Sequence, residues 1–261
     1  MNAQNRRAGF TLLEIIVAMS IFAIVAVLTL GMLKRSAETA SMDLIQTHTE
    51  NQVQEAVDSI VRDLKETSPA LCTFANFNDA QGRAQTAICF PTARARASGA
   101  FQTESMGVIS GRPVWQGAVV YAIGPDGVIF KYVDYSARAY TGPLYVSAVT
   151  ANDITVCMPD GTVTAVFSRV NRPAAGGPQT AVPLQGRFRQ LAAQMSRTTC
   201  WNCSTEFIPM PPGFTCPTCA QAGAGAIQLT VSSEIEHRTS QLSGTNVITT
   251  LTNEALSRNQ N

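Results

Sequence analysis

From Phe10 to Leu33 the chain is apolar at nearly every position and carries one charge, Glu14. At about 1.5 Å per residue, a helix of this length crosses a hydrocarbon core of roughly 30 Å. Past Lys34 and Arg35 the pattern becomes periodic. Met42, Ile45, Thr49, Val53, Ala56, Val57, Ile60 and Leu64 recur at steps of three and four, while Asp43, Glu50, Glu55, Asp58, Arg62 and Lys65 take other faces. This spacing predicts an amphipathic helix that buries one stripe against its own globular domain. Ser68-Pro69 predicts its end, because proline disfavours helical geometry in the preceding residue and has no N–H to donate. One helix is therefore expected over 10–67, apolar and membrane-spanning over 10–33 and an amphipathic stem over 34–67. Gly31 is a weak point within it, since glycine costs about 1 kcal/mol relative to alanine in a helix interior.

Beyond Pro69 the pattern shortens to β-rich runs. Thr86–Phe90 predicts a strand, and Arg94–Gly99 a loop whose arginines, Arg94 and Arg96, are solvated. Two hairpins share one turn chemistry: Ala118–Ile123 with Val128–Tyr135 around Gly124-Pro125-Asp126-Gly127, and Ile154–Met158 with Thr162–Phe167 around Pro159-Asp160-Gly161. Proline presets one turn dihedral and glycine supplies a positive one, so Asp126 and Asp160 are read as turn formers rather than calcium ligands. Asn171–Pro183, poor in large apolar residues, predicts a surface loop or a boundary. Leu184–Met195 fits a strand or a short helix equally well. Ile227–Ile235 and Asn246–Thr252 alternate and predict a final antiparallel pair. The fold class is α+β, a long N-terminal helix packed on an antiparallel β-rich domain over 68–261, with a small cysteine knuckle loop at 198–221.

Composition narrows the function. The 261 residues carry a net charge of +1, which offers no general electrostatic footprint for nucleic acid. The histidines, His48 and His237, stand near no Ser/Asp or metal-ligand pattern, so the chain reads as non-enzymatic. No phosphate-binding loop of the Gly-x4-Gly-Lys-Ser/Thr kind occurs, and any motor must be a separate protein. Trp115 and Trp201 are assigned no role beyond packing.

Before the apolar run lies Met1–Gly9, polar and basic through Arg6 and Arg7, which predicts that this end stays in the cytoplasm while the rest crosses the membrane. No small-x-small cleavage site follows Leu33, as an ordinary secretory signal would require. The leader ends instead at Gly9, within GFTLLEIIVAMSIFAIV. Gly9, Phe10 and Glu14 in this setting resemble the type IV prepilin family, including the pseudopilins of type II secretion systems. The resemblance covers about the first 35 residues. It implies cleavage after Gly9 by a membrane prepilin peptidase, leaving 1–9 as a leader peptide, and N-methylation of Phe10. It also implies a subunit anchored in the bacterial inner membrane with its globular domain in the periplasm or beyond, working with other pilin subunits, an inner-membrane assembly platform and a cytoplasmic ATPase. In that family the glutamate matching Glu14 pairs with the amino terminus of a neighbouring subunit and sets axial register. The alternative for Glu14 is a side chain near a helix end reaching the headgroups, where a carboxylate costs less than the roughly 2.5–3.5 kcal/mol at a helix centre. The length, the strand-rich body and a loose similarity of Thr249–Asn259 to the endings of larger minor pilins point to a minor pilin or J-type pseudopilin. The presence of Glu14 sets the chain apart from the tip pseudopilins, which characteristically lack that residue. A reading from another class is an uncleaved, signal-anchored periplasmic binding protein that uses a zinc-ribbon-like cysteine module, at 198–221, to recognise a partner.

Cys200-Trp-Asn-Cys203 and Cys216-Pro-Thr-Cys219 form a CxxC-x12-CxxC pattern. Two residues between ligands let each pair turn tightly and present both sulfurs to one tetrahedral, structural zinc. Spacing and the Cys-Pro-x-Cys form resemble zinc-ribbon and rubredoxin-like proteins, although Ser204 and Ala220 stand where those have glycine. Outside the cytoplasm the same four could instead form two disulfides. Of the remaining cysteines, Cys72 and Cys89 are a candidate disulfide tying stem to domain, and Cys157 is read as a buried thiol.

Overall fold

The computed structural model describes residues 11–67, 71–103, 113–135, 144–150, 153–158, 160–169, 179–195, 198–199, 206–207, 226–237 and 245–256. A single unbroken helix, α1 (Leu12–Leu64), opens the chain. The strands follow as β1 (Thr73–Asn78), β2 (Ala84–Thr92), β3 (Gly117–Ile123), β4 (Ile129–Asp134), β5 (Tyr145–Val149), β6 (Asp153–Cys157) and β7 (Val163–Ser168). After these come β8 (Gln179–Pro183), β9 (Phe188–Met195), β10 (Thr198–Thr199), β11 (Glu206–Phe207), β12 (Ala226–His237) and β13 (Thr245–Leu256).

The chain divides into two compact units, residues 1–48 and 49–261. What is described of the first is helix alone. The second contains the rest of α1 and all the strands, so the end of the stem is part of the domain. Its centre is an antiparallel sheet in the order β1-β2-β3-β4-β8. Two three-stranded antiparallel sheets accompany it, β13-β12-β9 and β5-β6-β7.

Two cores lie on opposite faces of the central sheet. The first packs Val53, Ala56, Val57, Ile60, Val61 and Leu64 of α1 against Ile88 and Phe90, Val119 and Tyr121, Leu191, Leu229 and Val231. The second packs Ala87, Val120, Ala122 and Tyr132 against Ile154, Val156 and Phe167. With both faces covered, β3 is buried at every residue, its odd positions facing the first core and its even positions the second. Such strands read as continuous apolar runs rather than as alternation.

Both Pro-Asp-Gly hairpins form. Ile123 faces Ile129, the Gly127 N–H donates to the Gly124 carbonyl at 3.1 Å, and Gly127 has φ +75°. In the second, the Gly161 N–H donates to Met158 O at 2.9 Å with φ +85° at Gly161. Asp160 accepts the Thr162 N–H at 2.9 Å, and this hydrogen bonding holds its carboxyl below the usual carboxylate range. Pro159 lies outside the described residues. The final antiparallel pair is present as β12 and β13.

Three expectations change. α1 ends at Leu64, with residues 65–67 already in turns, while Ser68 and Pro69 lie outside the described residues. Some of the loop expected over 171–183 is a strand, because β8 joins the edge of the central sheet through its backbone, pairing Phe130 with Pro183 and Asp134 with Gln179. Pairing of this kind needs no large apolar side chains, and Pro183, which lacks a donor, sits where proline is tolerated. The ambiguous stretch Leu184–Met195 resolves to β9, which pairs with β12 and buries Phe188, Leu191 and Ala193.

Candidate functional site

The start of α1 is built as a capping box. The Glu14 carboxylate accepts the Thr11 N–H at 2.9 Å and the Thr11 hydroxyl at 3.1 Å. In return, the Glu14 N–H donates to Thr11 Oγ1 at 3.3 Å. Ser/Thr-x-x-Glu closes helix N-termini in this reciprocal way, satisfying donors that the first turn leaves unpaired. Glu14 thus has partners within its own first turn, which lowers the cost of a carboxylate in an apolar segment. Gly9 and Phe10, the expected cleavage and methylation positions, lie outside the described residues.

From Leu12, 78 % exposed, to Leu33, 61 % exposed, the large apolar side chains of α1 stand free. The helix is long and apolar enough there to cross a membrane, and none of that stretch is buried. Such a surface is insoluble by itself and requires lipid or other helices around it.

Where α1 docks on the sheet, the apolar stripe is interrupted by Asp63, which is buried. Its Oδ2 accepts the Tyr121 hydroxyl of β3 at 2.5 Å and pairs with the Lys131 ammonium of β4. Lys131 also lies 5.9 Å from the centre of the Tyr121 ring. Burial, and then the neighbouring Asp63 carboxylate, raise the Tyr121 phenol well above its ordinary pKa, so it stays a hydrogen-bond donor. Just past α1, Glu66 binds Arg94 through both carboxylate oxygens, Nε at 2.6 Å and Nη2. Arg94 Nη1 donates to the Gly99 carbonyl at 2.7 Å. Arg94 keeps 42 % of its side chain exposed, in line with a solvated residue, while its guanidinium is held in a fork-on-fork pair and Glu66 raises its pKa further. Sequence reasoning missed Asp63, Glu66, Tyr121 and Lys131. A signal existed for Asp63, which falls on the face of Ala56 and Ile60, at steps of four and three, where a lone charge requires a partner.

Cys72 and Cys89 are not bonded to each other. Thr73 is the residue opposite Cys89 in the β1–β2 register, so Cys72 is one pleat out of phase and faces the other way. Cys72 belongs to the first core and Cys89 to the second. Burial pushes both thiols up, Cys89 to about 12, which suppresses thiolate chemistry at either. The stem is attached instead by its apolar stripe and the two ion pairs. Cys157 is buried as expected, its thiol donating to Ser147 Oγ at 3.2 Å. Trp115 is partly buried against the second core. Cys200, Cys203, Cys216 and Cys219 lie outside the described residues.

Among the described residues, no group of three or more His, Cys, Asp or Glu side chains is placed to hold a metal ion. The groove beside the end of α1, lined by Asp58, Arg62, Lys65, Glu66, Arg94 and Phe101, is open and carries both signs of charge. The arrangement is suited to anchoring and packing a helix.

The prokaryotic N-terminal methylation motif matches residues 4–30. No curated protein and no solved structure matches the chain.

Proposed function

We propose that this chain, which carries the type IV pilin and pseudopilin signature at its amino terminus, is a non-enzymatic filament subunit, a minor type IV pilin or pseudopilin. The observation that carries the reading is the coincidence of that motif, at 4–30, with the unburied apolar part of a helix whose later turns join the core of a β-rich domain. A prepilin peptidase cuts after Gly9, and Phe10 becomes the methylated amino terminus. The apolar segment of α1 holds the subunit in the inner membrane until the assembly platform extracts it into a bundle of like helices. The chemistry suits both environments, since the exposed Leu, Ile, Val and Phe side chains pack against lipid or against other helices without polar mismatch. In the bundle, Glu14 exchanges its Thr11 contacts for the amino terminus of a neighbouring subunit and so fixes axial register. The β-rich domain faces outward and contacts other minor subunits.

The test is mass spectrometry of the protein extracted from its native membrane, reading the amino terminus. A chain that begins at N-methylated Phe10 is the expected result. An intact Met1–Gly9 leader on the membrane-inserted protein would overturn the filament reading in favour of a signal-anchored binding protein.

A further inference from the structure

The sheet β13-β12-β9 ends on one side in β13, which among the described residues is paired with β12 alone. That pairing runs from Ala226 opposite Leu256 to His237 opposite Thr245 with no shift of register, so β13 is an unbroken edge of 12 residues. A sheet edge carries a row of backbone N–H and C=O groups, and proteins blunt it with short strands, bulges, proline or charge. The other edges described in this domain are treated in that way. β1 has 6 residues, and β8 has 5 and ends on Pro183. β5 and β7 belong to pairs with shifted register, and β9 carries Arg189 and pairs with β12 through a shift of its own. β13 has no such device, since Thr245 to Asn253, TNVITTLTN, is free of charge, proline and glycine.

The two faces of β13 differ. Leu251 packs against the first core, while Ile248, Thr250 and Thr252 are exposed. Thr252 lies opposite Thr230 with the two hydroxyls 3.1 Å apart, and threonines paired across strands in this way support a sheet. A strand added beyond β13 must keep the same alternation, because a slip of one residue exchanges its two faces. β13 of a second copy meets that demand. When two such edges run antiparallel about a two-fold axis perpendicular to the sheet, positions of like parity oppose each other. The two registers of fullest overlap set Thr250 opposite either Thr250 or Thr252 of the copy, a pair of threonines on the exposed face in both cases. Glu254 falls opposite position 246 in one register and 248 in the other, an asparagine and an isoleucine, so no like charges are opposed.

We propose that β13 is a docking edge for β13 of a second copy of this chain, joining the two three-stranded sheets into one continuous sheet. The contact is isologous, each copy giving and receiving the same surface, and it closes at a pair. Main-chain hydrogen bonds supply the attraction and the alternation of side chains supplies the register, which is how strand addition works at other sheet edges. This inference is independent of the filament reading, since an anchored chain with an uncleaved leader presents the same edge.

The experiment uses the full chain in its native membrane, with Thr250→Cys as the reporter and a short bis-maleimide as the cross-linker. Cross-strand positions lie about 5 Å apart when directly opposed and about 7–8 Å apart on the diagonal, so either register brings the two introduced thiols within its reach. The expected product is a covalent dimer joined through position 250 of both chains, read by mass spectrometry of the linked peptides. Val166→Cys, which places a thiol at an exposed position of β7, is expected to give no such dimer. In wild-type protein purified in detergent, the amides of β13 are expected to exchange hydrogen more slowly as protein concentration rises. No dimer through position 250, a link from 250 to a different protein, or an equal yield from Val166→Cys overturns the proposal. Exchange at β13 that is independent of concentration overturns it as well, without reliance on any substitution.

Discussion

Asp79, at the turn between β1 and β2, shows how a surface-proximal carboxylate becomes structural. Its side chain is 4 % exposed. It accepts the N–H groups of Gln81 and Arg83, each at 2.9 Å, Arg83 Nε at 2.7 Å and Gln85 Nε2 at 3.0 Å. Gln85, itself buried, also donates to Arg189 O at 2.9 Å and accepts the Leu191 N–H at 2.9 Å, which joins β2 to β9. Burial by itself would raise the Asp79 carboxyl, but these hydrogen bonds outweigh it and hold the group below its ordinary value. A carboxyl depressed in the folded state contributes stability that is complete above its unfolded pKa, about 3.9, and is lost as pH falls through the folded value. Thermal midpoints of wild type and Asp79→Asn measured from pH 7 down to pH 2 should therefore differ most at neutral pH and converge below about pH 4. Parallel curves would show that Asp79 makes no such contribution.

At the scale of elements, helix and sheet meet through a carboxylate on the apolar stripe. Asp63 is buried while Lys131 keeps 25 % of its side chain exposed, so removing the carboxylate strands the Tyr121 hydroxyl as well as a partly solvated ammonium and costs about 3 kcal/mol in all. Asp63→Ala should therefore lower the thermal midpoint by roughly 6–12 °C for a domain of this size. Replacing both partners, Asp63→Leu with Lys131→Met, should recover most of the loss, and a double variant as unstable as the single one would refute this account. The same elements show what was legible in sequence. The β3–β4 and β6–β7 hairpins were readable because Gly127 and Gly161 sit in local turns that need no distant partner. The stripe from Thr49 to Leu64 was readable because burial repeats with the helical period. β8 was hidden since Gln179–Pro183 is held by backbone pairing to β4, which side-chain composition does not report. β9 was ambiguous because its buried residues, Phe188, Leu191 and Ala193, are spaced by three and two, between the two periods. Asp63 and Lys131 are 68 positions apart, and Glu66 and Arg94 are 28 apart, so nothing local announced either pair. The N-terminal motif was wholly legible, being a contiguous string, matched over residues 4–30, that owes nothing to the fold.

At the scale of the molecule, the boundary between units falls at residue 48, within α1 rather than at its end. Val53, Ala56, Val57, Ile60, Val61 and Leu64 are core residues, and burying each such side chain stabilises by about 1.5–3 kcal/mol for the larger ones. Their sum rivals the roughly 5–15 kcal/mol that separates a folded domain from its unfolded chain. A truncated chain beginning at Thr49 should unfold cooperatively on heating, as followed by circular dichroism. One beginning at Ser68 should bind hydrophobic dyes and show no cooperative transition, and a sharp melt from it would place the domain boundary after the helix instead. Arg169 adds to the same cohesion, donating from Nη2 to the Ile123 carbonyl at 2.8 Å and from Nη1 to Thr150 O at 2.6 Å, which links the central sheet to the β5–β7 layer. The unbroken course of α1 has a mechanical meaning. A pull along the axis of its last turns, from Thr49 to Leu64, is carried straight into the first core. Drawing those turns out lengthwise requires the stripe and both ion pairs to slide past the sheet together, so the joint is loaded in shear. The same contacts arranged as a flap would peel open row by row under far less tension.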